Sequence, residues 1–394
     1  ALPIYVDICA AIRSADGDLN LVNMNTAGNV VFGGSTSTNG NYTVDTAELT
    51  LLQPGFNTIN IGSNFSGNQL IFGSTTNTST TDIVFKDDVN INNPVVGGEI
   101  KLNQSVSVTG NLRIKGSGFT TYWDGNATVT ATDTLFIDDS LIITGNVTAV
   151  AGSDGNGDMV LGGQSWHIIN GNGQAGNDTL TLKAPGNVVI AGRVGFPEPG
   201  QTADPLEGLN IQGIQVNTGV YNLPDDVTFN GEVVLNGDLN IAASGVVHFA
   251  NTVRITGGNL NITGASQVIF DGGLIVQSAA SVGGNITIEA DEIDFRGGAQ
   301  SVLSNGGTLT MRSATANLAY EVGDPPYSDP ARLNIDTTDM AALSAGFGKI
   351  VIGRVSGSHA AAESGEVRVG AFASTTSPLF WSNLEIYGGS ITVT

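Results

Sequence analysis

Residues Gly237 to Phe270 read GDLNIAASGVVHFANTVRITGGNLNITGASQVIF, and this stretch contains each of two short phrases twice. The first phrase, GDLNI and then GNLNI, is a glycine followed by aliphatic residues that alternate with polar ones. The second phrase, VHF and then VIF, ends on a phenylalanine. Because successive side chains of a β-strand point to opposite faces, each phrase predicts one strand with its apolar residues on a single buried face.

Both phrases recur along the chain at a common spacing. The glycine phrase returns as GNLRI from Gly110, GNITI from Gly284, GTLTM from Gly307 and GSITV from Gly389. The phenylalanine phrase closes at Phe229, Phe249, Phe270 and Phe295, in steps of 20, 21 and 25 residues. Two strand types that share one period of about 20 to 26 residues predict a chain that returns to the same place once per turn.

The predicted fold is therefore all-β: an elongated right-handed parallel β-helix, or β-solenoid, with about 20 to 26 residues per rung and roughly 16 to 18 rungs. Stacked rungs would form aliphatic ladders inside the coil and an aromatic stack of the four phenylalanines. The 54 glycines fit this fold, because tight corners need backbone angles that glycine adopts readily. Three segments with irregular patterns are predicted surface insertions: Ala149 to Gly176, Gly195 to Leu206, and Tyr320 to Arg332.

A second, much longer repeat is superimposed on the rungs. The segment YTVDTAELTLLQPGFNTINIGS from Tyr42 parallels LNIDTTDMAALSAGFGKIVIGR from Leu333, with an offset of 291 residues. GGEIKL from Gly97 parallels GGSITV from Gly388 with the same offset. The predicted organisation is one continuous β-solenoid over residues 1–394, in which 42–102 and 333–394 are copies of one segment of a 291-residue tandem super-repeat. TAEL at 46–49 and TTDMAAL at 337–343 are the two predicted short helices.

Charge and composition exclude several classes of protein. The chain has 14 basic and 36 acidic residues and a formal net charge of -22, so a nucleic-acid partner is not expected, because phosphate binding needs clustered Lys and Arg. Apolar residues come in short bursts, which predicts no direct insertion into a membrane. Cys9 is the single cysteine, so an internal disulfide is excluded.

The phrases GGNITIEADEIDF, from Gly283 to Phe295, and TTDMAALSAGFGKIVIGR, from Thr337 to Arg354, resemble the β-helical stalks of filamentous-haemagglutinin-like giant bacterial exoproteins. The resemblance implies an extracellular location on the bacterial cell surface and a role in adhesion or aggregation. Partners would be copies of the chain or adjacent repeats placed end to end, together with surface glycans or neighbouring cells. The function expected is a structural or adhesive stalk that forms filaments and is not an enzyme.

Calcium is the cofactor that the sequence allows. Asp154, Asn156 and Asp158 in SDGNGD, and Asp16 and Asp18 in ADGDLN, offer oxygen ligands at alternating positions, which suits a hard cation. Neither loop is complete, because an EF-hand also needs a closing glutamate and flanking helices. A bound calcium would stiffen its loop.

Two other functions stay open: a carbohydrate-active β-helix enzyme and a passive carrier for a distal effector domain. Carboxylate pairs at Asp87 with Asp88, Asp138 with Asp139, Asp225 with Asp226, and Asp291 with Glu292 and Asp294 could supply a glycosidase acid and base, or could simply shape turns. His167, His248 and His359 are isolated in the sequence, which argues against zinc. Tyr122, Trp123 and Trp166 could stack on a sugar or pack inside the fold.

Overall fold

The fold is taken from a computed structural model, which describes residues 8–23, 28–33, 42–63, 68–73, 82–93, 98–124, 127–164, 166–172, 178–195, 206, 208–212, 214–215, 221–222, 224–277, 283–323, 332–353, 365–370 and 383–393. The chain divides into two compact units. Unit 1 is Ala1–Leu206 with Gly213–Asn222, and unit 2 is Glu207–Gln212 with Leu223–Thr394. A single solenoid through both units stays a prediction.

Short strands make up almost all of the regular structure. As far as residue 222, the elements are β1 (Gly17–Asn23), β2 (Val30–Phe32), β3 (Tyr42–Val44), α1 (Thr46–Thr50), β4 (Phe56–Ser63), β5 (Leu70–Phe72), β6 (Ile83–Phe85), β7 (Val89–Asn93), β8 (Ile100–Leu102), β9 (Val106–Val108), β10 (Leu112–Trp123), β11 (Thr128–Ala131), β12 (Leu135–Ile143), β13 (Asn146–Val150), β14 (Met159–Leu161), β15 (Ile168–Asn170), β16 (Thr179–Lys183), β17 (Val188–Ile190), β18 (Arg193–Val194), β19 (Gly208–Gln212), β20 (Ile214–Gln215) and β21 (Tyr221–Asn222).

The remaining elements follow in unit 2. They are β22 (Val227–Phe229), β23 (Val233–Leu235), β24 (Asp238–Ala242), β25 (Val246–Phe249), β26 (Val253–Thr256), β27 (Leu260–Ala265), β28 (Gln267–Phe270), β29 (Leu274–Gln277), β30 (Ile286–Ala290), β31 (Ile293–Phe295), β32 (Val302–Ser304), β33 (Thr308–Arg312), β34 (Ala319–Val322), β35 (Arg332–Ile335), α2 (Thr337–Ala342), β36 (Lys349–Ile352), β37 (Glu366–Val369), β38 (Asn383–Ile386) and β39 (Ser390–Val393).

In unit 1 the strands stack into three parallel sheets. Sheet I has the order β1-β4-β7-β10-β12-β14-β17. Sheet II has the order β3-β2-β5-β8-β10-β12-β15-β18, and β10 and β12 bend through a register shift so that each contributes to both sheets. Sheet III has the order β6-β9-β11-β13-β16. The described residues of this unit also include one small antiparallel pair, β20 with β21.

Unit 2 is also built of stacked parallel strands, which form four sheets. Sheet IV is β22-β25-β28-β31 and sheet V is β23-β26-β29-β32. Sheet VI is β19-β24-β27-β30-β33-β36-β38, and sheet VII is β35-β34-β37-β39. Most strands pair in parallel with the strand one turn later, whereas β2 with β3 and β34 with β35 are parallel pairs of chain neighbours, so the predicted parallel β-helix is confirmed.

The core of unit 2 is the predicted set of ladders. Leu239 pairs in register with Leu260, and Leu260 with Ile286, and all three are buried. The aromatic stack is also confirmed: the rings of Phe229 and Phe249 are 4.7 Å apart, those of Phe249 and Phe270 are 4.8 Å apart, and those of Phe270 and Phe295 are 5.6 Å apart. Each buried aliphatic or aromatic side chain contributes about 1.5 to 3 kcal/mol by leaving water.

Rung length and the predicted insertions need correction. Steps in the core of unit 2 match the expected period, but in unit 1 Asn60 and Asn90 are register partners 30 residues apart. The predicted insertion at Ala149 to Gly176 is wrong over much of its length, because it contains β14 and β15, which pair in register in sheets I and II. Most of Gly195 to Leu206 lies outside the described residues. Tyr320 to Arg332 begins within β34 and ends at β35, and its middle is not described.

Several strand pairings are equivalent in the two segments that carry the long sequence repeat. Isolated bridges join Ile12 to Leu52 and Val302 to Leu343, at equivalent places. β1 pairs β4 as β33 pairs β36, and β2 lies between β3 and β5 as β34 lies between β35 and β37. We call residues 12–102 and 302–393 the first and second copy, on the pairings of their described parts; the 291-residue tandem super-repeat stays a prediction.

Candidate functional site

Each copy contains one short helix at the position where its neighbours carry a strand. Helix α1 packs against β6 in unit 1, and α2 packs against β31 in unit 2. Both begin with an aspartate N-cap, Asp45 and Asp336, whose side chain accepts a backbone N–H three residues on, from Glu48 and Asp339 respectively. Both helices were predicted from TAEL and TTDMAAL, and both predictions are confirmed.

A helix cannot continue a ladder of strand hydrogen bonds, so the adjacent backbone needs another acceptor. In the first copy, Glu48 Oε1 accepts the Ile8 N–H at 3.0 Å, and its Oε2 accepts the Asp45 N–H at 2.8 Å. In the second copy, Asp339 Oδ1 accepts the Phe295 N–H at 2.8 Å, and its Oδ2 accepts the Asp336 N–H at 3.1 Å. In each copy, one carboxylate thus accepts a backbone N–H from the N-cap residue of the helix and another from the neighbouring segment.

Four carboxylates surround the start of α2, and we call Glu292, Asp294, Asp336 and Asp339 the acidic junction. Asp339 is only 6% exposed, and its burial raises the pKa of its carboxyl to about 8, with the negative charges of Asp336 and Asp294 acting in the same direction. Burial likewise raises the pKa of Glu292 to about 7. Arg296 pairs with Asp294 at 2.8 Å. The junction can therefore hold protons near neutral pH.

A second arrangement lies on the outer surface of sheet I, in unit 1. Strand register places Asn20, Asn60, Asn90 and Arg113 in one file across four rungs. The parallel file two residues further along each strand is Val22, Gly62, Asn92 and Lys115. Residues of the two files line a groove of about 510 Å³, which we call the amide groove.

The polar groups of the amide groove are held in place by their neighbours. The Asn60 side-chain amide donates to Asn20 Oδ1 at 3.1 Å, and the Asn90 amide donates to Asn60 Oδ1 at 3.2 Å. The Arg113 guanidinium lies 4.8 Å from the centre of the Phe136 ring, a cation–π contact. Arg113 and Lys115 are exposed.

No family model, no curated protein and no solved structure matches the chain. Its possible chemistry therefore has to be argued from its own residues. No helix in the described part of the chain is both long and apolar enough to cross a membrane.

The residues predicted to bind calcium are used in turns and between rungs. Asp158 Oδ1 accepts the Asn187 N–H at 2.7 Å, and Asp154 Oδ1 accepts the Asn156 N–H at 3.1 Å. Asp18 accepts from the Asn57 side chain, and Asp16 has a φ of 64°. Among the residues that the structure describes, no group of three or more His, Cys, Asp or Glu side chains is placed to hold a metal ion. Calcium binding stays a prediction.

Several of the paired carboxylates accept backbone N–H groups from a neighbouring rung, as the turn interpretation predicts. Asp87 accepts from Gly55 and Phe56, Asp88 from Asn111, Asp226 from Val246 and Asp291 from Thr315. The pair Asp138 and Asp139 differs, because Asp139 is 1% exposed and accepts the Thr121 hydroxyl at 2.7 Å.

Two histidines that looked isolated in the sequence have acidic neighbours. His248 Nε2 lies 2.7 Å from Asp271, and His167 Nδ1 lies 3.7 Å from Asp138. Burial lowers the pKa of His167. His359 lies outside the described residues. Trp123 is buried, so it packs inside the fold, whereas Trp166 is 59% exposed.

The amide groove was not predicted from the sequence. A usable signal was present in GNLRIKG, from Gly110 to Gly116, because alternation puts Arg113 and Lys115 on the same outer face. The asparagines opposite them come from phrases 23 or more residues away, and only the register of the rungs brings them together.

Proposed function

We propose that the chain is a structural and adhesive stalk segment of a large secreted bacterial cell-surface protein, without a catalytic role of its own. Repeats of about 291 residues would join end to end, within one giant chain or between copies, into long extracellular fibres. Surface glycans and neighbouring cells are the proposed adhesive partners.

One observation supports this proposal: the described parts of residues 12–102 and 302–393 share an order of strand pairings and one capped helix. When the same arrangement of strands begins again, further repeats can be added with contacts of the kind that the fold already contains. Rung-to-rung hydrogen bonds and buried ladders, which are local to each turn, would resist pulling along such a fibre.

The charge of the chain suits an extended fibre in water. A net charge of -22 with scattered basic residues keeps neighbouring fibres apart at low ionic strength. Calcium would be the proposed bridge between such surfaces, and its removal would loosen fibre bundles.

Electron microscopy of the producing cell surface, with and without a chelator, tests the proposal. At about 25 residues and about 4.8 Å per rung, the expected axial repeat is about 55 Å. Filaments with this repeat would support a stalk, and fraying on chelation would support calcium. Compact single particles without higher assembly would contradict it.

A further inference from the structure

The amide groove combines amide groups with positive charges. It offers a row of asparagine amides, and next to them two cations, Arg113 and Lys115. We propose that this groove binds an acidic oligosaccharide, with sugar hydroxyls on the amides and sugar carboxylates on the two cations. The inference rests on the proposed adhesive function and gives it a defined site.

The two cations are available to a ligand. Neither Arg113 nor Lys115 forms an ion pair with any residue in the described part of the chain. Arg113 is steadied by Phe136, a contact that leaves the edge of the guanidinium open for a two-pronged hydrogen bond to a carboxylate. Lys115 adds a second positive charge two residues along the same strand.

The amides are also partly unused. One N–H of the Asn60 side chain donates to Asn20 Oδ1, and the Asn60 side-chain oxygen accepts one N–H from Asn90. An amide group has two N–H donors and two acceptor lone pairs, so the Asn60 amide keeps one donor and one acceptor beyond these two bonds. Sugar hydroxyls donate and accept at once, and therefore suit such a row.

The groove is large enough for a small ligand. Its volume is about 510 Å³, with Val22 at one end of the second file and Lys115 at the other. A Cβ added at Gly62 would lie 2.8 Å from the Asn92 carbonyl oxygen, so glycine at this position allows the backbone of the next rung to pack closely beneath the groove.

The second copy provides a comparison within the same protein. By strand register, Thr310, Val351 and Glu385 stand where the first copy has Asn20, Asn60 and Asn90. There the cations are engaged, since Arg312 pairs with Glu289 at 2.8 Å and Lys349 with Glu385 at 3.2 Å. These two cations lie on the equivalents of β1 and β4, not of β10, so they provide a charge-matched comparison for Arg113 and Lys115.

The surrounding charge selects the class of ligand. Two cations on a chain of net charge -22 cannot hold a dense polyanion such as a nucleic acid, which needs many phosphate contacts. A uronate chain carries fewer charges, spaced along the backbone and separated by hydroxyl-rich rings. Such a ligand could place carboxylates on the two cations and hydroxyl groups on the amides.

The test is a calorimetric titration of the full chain with a galacturonate hexamer, a neutral glucan hexamer and a glutamate hexapeptide. We expect the galacturonate oligomer to bind at least about tenfold more tightly than either of the others, and binding to weaken with salt. No measurable galacturonate binding, or equal binding of all three, would overturn the proposal.

Two double variants locate the site. Arg113→Gln with Lys115→Gln should weaken galacturonate binding about tenfold or more, because charge-assisted hydrogen bonds are lost. Arg312→Gln with Lys349→Gln removes the same charges from the second copy and should leave binding unchanged. If both double variants lost galacturonate affinity equally and kept the parent's melting temperature, the effect would come from net charge and the proposed site would be contradicted. Since this assay needs no filaments, it can fail or succeed independently of the stalk.

Discussion

Phe249 lies between two other rings of the aromatic stack, 4.7 Å from Phe229 and 4.8 Å from Phe270. Its replacement by alanine leaves a cavity that two neighbouring rungs cannot close. We expect Phe249→Ala to lower the free energy of unfolding by about 3 to 5 kcal/mol, measured by denaturant titration. Phe249→Leu is the matched control and should cost much less. A loss below about 1 kcal/mol in the alanine variant would show that the stack contributes little.

Asp339 makes the stability of unit 2 depend on pH. Its pKa is raised to about 8 from an ordinary value of 3.8, so its contribution is fully present below about pH 4 and is lost as the pH rises through 8. We expect Asp339→Asn to flatten the fall in melting temperature between pH 5 and pH 8, where one such group contributes up to about 1.4 kcal/mol per pH unit. The exposed Asp82→Asn is the control and should keep the parent's slope. An unchanged slope in Asp339→Asn would contradict this assignment.

The inward-facing residues could be predicted from the sequence, whereas the environment of Asp339 could not. Alternation of aliphatic and polar residues identifies Leu239 or Ile262 directly, because the signal is local. The burial of Asp339 depends instead on Phe295, a backbone partner 44 residues away. Contacts of that length are set by the stacking of rungs, which no local pattern specifies.

At the scale of the element, the caps of α1 and α2 should matter because both helices are too short to be stable alone. We expect Asp336→Ala to cost about 0.5 to 2 kcal/mol in the free energy of unfolding, since its side chain accepts the N–H groups of Thr338 and Asp339. Asp336→Asn keeps an oxygen acceptor at the cap and should be nearly neutral. If both variants cost the same, charge and not capping is the cause.

The strands and helices were largely predictable, whereas rung lengths were not. The five residues of GDLNI and the three of VHF are enough to predict a strand each, so β24 and β25 were expected. The segment from Ala149 to Gly176 looked irregular because its glycines outnumber its aliphatic residues, yet Met159 and Leu161 are fully buried and continue the ladder. Two inward residues suffice for a rung, and two residues are too few for a periodic signal.

At the scale of the whole molecule, charge should govern association. A chain of net charge -22 repels its copies at low salt, and we expect light scattering to rise as ionic strength shortens the range of that repulsion. Calcium chloride compared with sodium chloride at equal ionic strength separates bridging from screening. An equal rise of scattering in the two salts would contradict bridging by calcium. No rise in either salt would argue against lateral association.

The helix that replaces a strand in each copy also bears on how unfolding spreads from rung to rung. Rungs joined by continuous strand ladders unfold one after another, since the loss of each strand exposes the next. At α2 the ladder of sheet IV stops and Phe295 is held by a carboxylate and not by a carbonyl, whereas sheet VI continues from β30 through β33 to β36. We therefore expect local opening to begin on the α2 side of the coil, where one ladder is interrupted, while the unbroken ladder of sheet VI keeps neighbouring rungs coupled.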